Sequence, residues 1–393
     1  MVTSIRTAVY GPVCPVVWEG GGREAAPYPD LNIPYREGAI IMEKEAWIIN
    51  PKDPILITGS TGFIGIKLVE TLVEYGFRNL RCFVRPSSNI TLLNKIADSK
   101  DQVTINIIKG NLISREDCLS ATKEIALVFH LATESSKSFA GVYMGTVIPT
   151  RNLLEAILQN GNLKRFVNVS SIAVYMSRNI PRGGILDETC KIDDEPEKRF
   201  DAYAYGKVKQ DELLLDYYRK YDIPFVIVRP GAVYGPGKIG ITGRVGIDTF
   251  GIFLHMGGRN IIPISYVDNC AEAIALSGIT KHIEGEVFNI VDDELPTSRQ
   301  FLNMYKKNVC SFFSLYVPYS IAFALCYLWE KYAGWSHGQI PPVFNRRRCI
   351  NDWRGKRYSN EKMKRLLGWK QKASFQDATR RYFEYQKYFR ARP

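Results

Sequence analysis

Residues 55 to 65 read ILITGSTGFIG, an apolar run that breaks at Gly59, Gly62 and Gly65 and passes into an amphipathic pattern from Ile66 to Tyr75. This is the pattern of a strand, a tight turn and a helix. The first glycine makes the turn, the second lets a pyrophosphate approach the backbone, and the third lets helix and strand pack closely. The helix N-terminus then faces the negative charge. Another short apolar strand, LRCFV at 80–84, follows downstream, as a dinucleotide-binding unit requires. The stretch therefore predicts dinucleotide binding.

Outward from this turn, short apolar runs alternate with helical patterns. PILITG, RCFVRP, TINIIKG, LVFHLA, RFVNVSS and PFVIVRPG are separated by segments such as KLVETLVEYG, TRNLLEAILQN and KQDELLLDYYRKY. Such alternation predicts βαβ units and a parallel sheet buried on both faces, a doubly wound α/β fold of the Rossmann kind. The expected division is a poorly ordered extension over 1–50, a nucleotide-binding domain over 51–234, and a smaller lobe over 235–393 interleaved with returning sheet elements. That lobe is expected to close over the cofactor at the carboxyl ends of the strands. Residues 1–41 are rich in Pro and Gly and precede Met42, from which a start could also be read. Pro12 and Pro15 interrupt the only candidate signal-peptide core, so secretion is not supported.

A chain of 393 residues with 46% hydrophobic content can bury a large core, which excludes a disordered protein. The eight cysteines are scattered without a CxxC pair, and the four histidines show no metal-ligand spacing. Neither a disulfide framework nor a metal site is expected, and a cytoplasmic location fits. The net charge of +12 resides entirely beyond Asn345, where sixteen basic residues face four acidic ones. A basic tail can serve an anionic membrane or simple solvation. No nucleic-acid-binding motif accompanies it, so no nucleic-acid partner is expected. Residues 309–329 (VCSFFSLYVPYSIAFALCYLW) carry no charge. They are read first as a helix lining or covering an apolar pocket, with an interfacial element and a membrane span as alternatives that Pro318 and three serines weaken.

The strand RFVNVSSIAVY carries Ser170 and Ser171, and AYAYGKVKQDELLL places a Tyr and a Lys four apart on one helical face. Hydride transfer between a ketone and an alcohol needs a proton moved at the substrate oxygen. Tyr does this at neutral pH if a cation stabilises its phenolate, and a serine hydroxyl can hold the same oxygen. Through TGSTGFIG, HLAT, VSSIAVY, YxxxK, RPGAVYGPG and ISYVDNCAEAIAL, the chain resembles the extended short-chain dehydrogenases/reductases from Pro54 to Tyr388. RPGAVYGPG, FNIVDDELPT and YSNEKMKRLLGW are most similar to the 3β-hydroxysteroid and sterol dehydrogenase branch.

The resemblance implies Ser171, Tyr203 and Lys207 as the catalytic set. Tyr205 and Lys209 also satisfy YxxxK, but the family's small residue before the lysine and acid four after it match Gly206 and Asp211, which favours Lys207. It further implies Gly59, Gly62, Phe63, Ile64 and Gly65 at the pyrophosphate, and Leu131, Ala132 and Thr133 near the nicotinamide-side ribose. Tyr203 and Lys207 would border the cofactor as well. Arg85, where an NAD-preferring site usually has an acid, suits a 2′-phosphate, so NADP is favoured over NAD. Asn111 replaces the family's adenine-pairing Asp but, as an amide that can still accept that bond, is kept among the cofactor-binding residues, and Thr146 and Pro149 replace the Asn and Gly of its NVxGT helix start. The expected activity is alcohol–ketone interconversion on a mostly apolar, sterol-like small molecule. An NDP-sugar epimerase using the same triad with retained NAD is the alternative, and a regulator without catalysis is less favoured. Ile172 and Ala173, where dehydratases carry an acid–base pair, disfavour dehydration. Peripheral membrane contact and a homodimer are compatible with this reading.

Overall fold

The computed structural model describes residues 47–99, 103–249, 251–337 and 339–391. The expected extension therefore lies outside the described residues up to position 46. Its end does not fit the expectation, because Trp47 and Ile49 are buried and Trp47 stacks on Phe77, with ring centroids 5.3 Å apart. Two large apolar side chains are drawn into the core there, so the boundary expected at residue 50 falls late.

Seven parallel strands form the main sheet: β1 (Ile55–Thr58), β2 (Asn79–Val84), β3 (Thr104–Lys109), β4 (Leu127–His130), β5 (Arg165–Val169), β6 (Phe225–Pro230) and β7 (Val287–Ile290). Their order is β7-β6-β5-β4-β1-β2-β3, with β1 at the point where the winding reverses. Alternate residues of each strand serve opposite faces. Ile55 and Ile57 join one core with Val167, Val226 and Val228, while Leu56 joins another with Val128, Phe166 and Ile227. Burial on both sides explains why these strands read as near-continuous apolar runs.

Helices cover both faces. On one lie α1 (Phe63–Glu74) and α4 (Val267–Ile279), packed against each other. On the other lie α2 (Ile148–Asn160) and α3 (Ala202–Tyr221). Helix α4 and strand β7 return from the C-terminal half to complete the nucleotide-binding layer. A further core, with Tyr234, Phe253, Tyr266, Phe301, Tyr305 and Tyr382, organises the lobe beside it.

The region expected as a basic tail is folded. It forms helices at Arg346–Trp353, Glu361–Leu367 and Phe375–Arg390 and buries Trp369, Tyr382 and Tyr385. The uncharged segment 309–329 is not one helix either. Ser314–Tyr316 pairs in parallel with the strand Ile252–His255, and Pro318 caps helix α5 (Tyr319–Trp335). Proline has no N–H to donate to a preceding turn, so the helix starts after it. Helix α5 packs on α6 (Arg346–Trp353) through Ala322, Cys326 and Cys349, and none of residues 309–329 lines the main cleft. Of the expected helix lining or covering an apolar pocket, the lining of this cleft is thereby corrected. Among the described residues no helix is long and apolar enough to cross a membrane.

Candidate active site

One cleft, of about 790 Å³, opens at the carboxyl ends of the strands. Its floor is the turn after β1. Gly59 has φ +71°, and a Cβ there would lie 2.9 Å from the Ala132 nitrogen. A Cβ on Gly65 would stand 2.1 Å from the Gly59 carbonyl oxygen, so any side chain would force the turn open. Gly62 is the N-cap of α1 and supplies no side-chain cap, which leaves the first-turn amides for an anionic ligand. This bare cradle fits a dinucleotide pyrophosphate.

The cleft gathers all the residues expected from sequence. Gly59, Gly62, Phe63, Ile64 and Gly65 line it beside Arg85, Asn111, Leu131, Ala132 and Thr133, together with Ser171, Tyr203 and Lys207. Tyr205 and Lys209 do not line it. Tyr205 packs on Phe139 at 4.9 Å and Lys209 pairs with Glu212 at 2.8 Å, on the outer side of the helix. Arg85 is exposed at the end of β2. Asn111 Oδ1 accepts the Ile113 amide at 3.0 Å, so the side chain braces its own turn as well as facing the cleft.

Ser171 ends the extended backbone after β5 and caps a short 3₁₀ turn, its Oγ accepting the Ala173 amide at 3.2 Å. Its neighbour Ser170 instead donates to Asp211 at 2.9 Å. Asp211, which also accepts from Asn168 and from Arg229 at 3.0 Å, ties α3 to the sheet. That explains an acid four residues after the lysine: it anchors the helix bearing Tyr203 and Lys207. The small residue before the lysine also has a steric cause, because a Cβ on Gly206 would meet Val142 Cγ1 at 2.1 Å.

Lys207 is buried, and its Nζ donates to the Val169 carbonyl at 2.7 Å and to Gln210 Oε1 at 3.0 Å. Burial lowers its pKa to about 8, against the opposing pull of the Asp211 carboxylate. Gln210 continues to Thr150 at 2.8 Å, and Thr150 to His130 at 2.9 Å. Thr146, where the family has Asn, meets the Thr133 hydroxyl at 3.2 Å and accepts the Glu134 amide at 3.0 Å. A π-helical turn at Tyr143–Val147 precedes α2, and Thr146 lies within it. The threonine thus braces the loop after β4.

At the far end of the cleft stand Lys238, Arg244, Ile247, Arg348, Asp352 and Trp353, which sequence reading did not single out. Arg244 and Arg348 share Asp352 at 3.4 and 3.6 Å. Burial opposes the Asp352 charge, but the two guanidinium groups outweigh it and hold the carboxyl below its ordinary value. These residues come from a loop, the short strand Gly246–Thr249 and α6, with no motif to mark them. The run Arg346–Arg348 was legible only as charge.

A family model described as the NAD dependent epimerase/dehydratase family matches residues 55–290. A trifunctional UDP-glucose 4,6-dehydratase/UDP-4-keto-6-deoxy-D-glucose 3,5-epimerase/UDP-4-keto-L-rhamnose-reductase of Arabidopsis thaliana is 26% identical over 290 residues, or 67% of this chain. The chain spans only 40% of the length of that relative. The sterol-4-alpha-carboxylate 3-dehydrogenase, decarboxylating, of Mus musculus is 24% identical over 343 residues, covering 83% of this chain and 88% of the mouse protein. The structure of UDP-glucuronic acid 4-epimerase from Bacillus cereus in complex with NAD superposes with a TM-score of 0.63 at 21% identity, over 86% of this chain and 99% of that one. This last likeness is one of fold.

Proposed function

The chain belongs to the NAD-dependent epimerase/dehydratase family, within the extended short-chain dehydrogenases/reductases, and from that premise we propose that it interconverts a secondary alcohol and a ketone on a mostly apolar substrate. The observation that carries this reading is the convergence of Ser171, Tyr203 and Lys207 with the glycine cradle in one cleft. A bound nicotinamide supplies the hydride donor or acceptor. Ser171 Oγ holds the substrate oxygen, and Tyr203 gives it a proton in reduction or takes one in oxidation. The buried Lys207 ammonium favours the phenolate that remains. Ile172 and Ala173 are apolar lining with nothing to offer as acid or base, so elimination of water is not supported.

An apolar substrate is favoured by the sterol-acting relative, which matches along nearly its whole length, and by the character of α5. Ile321, Leu325, Leu328, Tyr332 and Trp335 recur at four- and three-residue steps and all face solvent, Trp335 at 74% exposure. Between Lys306 and Arg348 six basic residues accompany a single acid, Glu330. An apolar stripe edged by aromatic residues and cations suits peripheral contact with an anionic bilayer, from which such a substrate would be drawn. Arg85 favours NADP through a charge-assisted bond to the 2′-phosphate.

One observation favours the second reading, an NDP-sugar epimerase that retains NAD: Arg244 and Arg348 are suited to a diphosphate. Oxidation of NADPH and NADH across a ketone panel that includes sterols and keto-sugars separates the two. Net oxidation of NADPH with an apolar ketone supports the proposal. Epimerisation of a nucleotide sugar without net cofactor turnover would replace it.

A further inference from the structure

Beneath the cleft a continuous set of hydrogen bonds runs from the lysine to the loop after β4, and its donors can be assigned from chemistry alone. Lys207 has only protons to give, so Gln210 presents its Oε1 to Nζ at 3.0 Å and its amide N–H to Thr150 Oγ1 at 2.8 Å. The Thr150 hydroxyl lies 2.7 Å from the Thr146 carbonyl, which can only accept, so the Thr150 proton is committed there. Thr150 Oγ1 must therefore accept from His130 Nε2, 2.9 Å away. In a neutral ring that leaves Nδ1 as acceptor for the Thr58 hydroxyl at 2.8 Å. Thr58 Oγ1 in turn accepts the Ala132 amide at 3.3 Å. Each proton is given once and each oxygen or nitrogen acts in a compatible sense, and Thr58, His130, Thr150 and Gln210 are all fully buried.

We propose that His130, held as the neutral Nε2–H tautomer, is a positioning residue that couples Lys207 to the cofactor-side loop Leu131–Thr133 through Gln210, Thr150 and Thr58. Pairing of β1 with β4 sets Thr58 opposite His130, so the histidine is fixed by the sheet itself. Lys207 is thereby aimed from one side and the Ala132 amide from the other. Burial also pushes the imidazole pKa down to about 3, with the Lys207 charge adding to it, so the ring stays neutral across the working range. The role given to Lys207 rests on the proposed proton chemistry, whereas the tautomer and the hydrogen bonds do not.

Two measurements test this on the full chain. Nitrogen-15 NMR of the wild type at neutral pH, with His130 assigned by difference from His130→Asn, should show a neutral Nε2–H ring with a slowly exchanging proton. An Nδ1–H or doubly protonated ring would overturn the assignment whatever the substrate proves to be. The second measurement compares His130→Asn, which keeps a donor and an acceptor, with His130→Leu, which keeps only bulk. Misplacement of Lys207 should lower kcat on the order of a hundredfold in the leucine variant with little change in ketone KM, and asparagine should restore most of it. A purely packing role predicts the reverse order, and equal turnover in both variants would also overturn the proposal. If His130→Leu does not fold, Gln210→Met breaks the same path and should give the same split of kcat from KM. Loss of activity in Tyr203→Phe tests the site separately, so the two failures are distinguishable.

Discussion

Tyr203 and Tyr205 differ in address, not in type. Only Tyr203 lines the cleft, while Tyr205 rests on Phe139. Tyr203→Phe is expected to lower turnover by roughly a hundredfold to ten-thousandfold while NADPH affinity by titration stays close to wild type. Loss in Tyr205→Phe instead would reassign the pair. Lys207 adds a pH dependence. Because burial lowers its pKa to about 8, the ammonium is present below that value and is lost as pH rises through it, well before an ordinary lysine would lose its proton. The rate of ketone reduction, measured from pH 6 to 10, should therefore fall on the alkaline side from about 8. A flat profile to pH 10 would separate Lys207 from the proton transfer.

At the scale of elements, the first glycine turn was the most legible feature, because its geometry depends on the absence of side chains. Gly65→Ala should abolish dinucleotide binding and lower the Tm, since the added methyl meets the Gly59 carbonyl. Isothermal titration and a melting curve check both. Strands β1, β2, β4, β5 and β6 could be read from sequence because they are largely buried and show as apolar runs, whereas the edge strand β3 is only half-buried and was legible through its place in the alternation. Thr146 could be read only as a departure from a motif, and its bracing of the loop after β4 emerged from the π turn that carries it. Segment 309–329 misled for a physical reason: lack of charge reports what a segment avoids, not what it touches. Pro318 divides it, and the helix beyond buries small residues while exposing large ones. The arginines at the far end of the cleft were illegible because they come together from distant positions, Arg244 and Arg348, through one aspartate.

For the whole molecule, folding places the glycine cradle, Ser171, Tyr203, Lys207 and the two arginines along a single cleft and leaves the apolar stripe of α5 on the outside. The protein should cosediment with vesicles containing anionic lipid and release in high salt, each basic residue near the surface contributing about 1 kcal/mol. Leu328→Glu together with Trp335→Glu should prevent binding without altering the melting curve. Retained binding in that variant would remove α5 from the interface, and self-association lost in its place would mark the stripe as a contact between copies. The central claim, net hydride transfer between a nicotinamide and an apolar carbonyl, is tested most directly by isotope. With NADPH deuterated at the transferring position and a sterol ketone as substrate, the account predicts deuterium in the released alcohol and one oxidised cofactor per product. Unlabelled product from an epimerised nucleotide sugar, with no cofactor consumed, would contradict it.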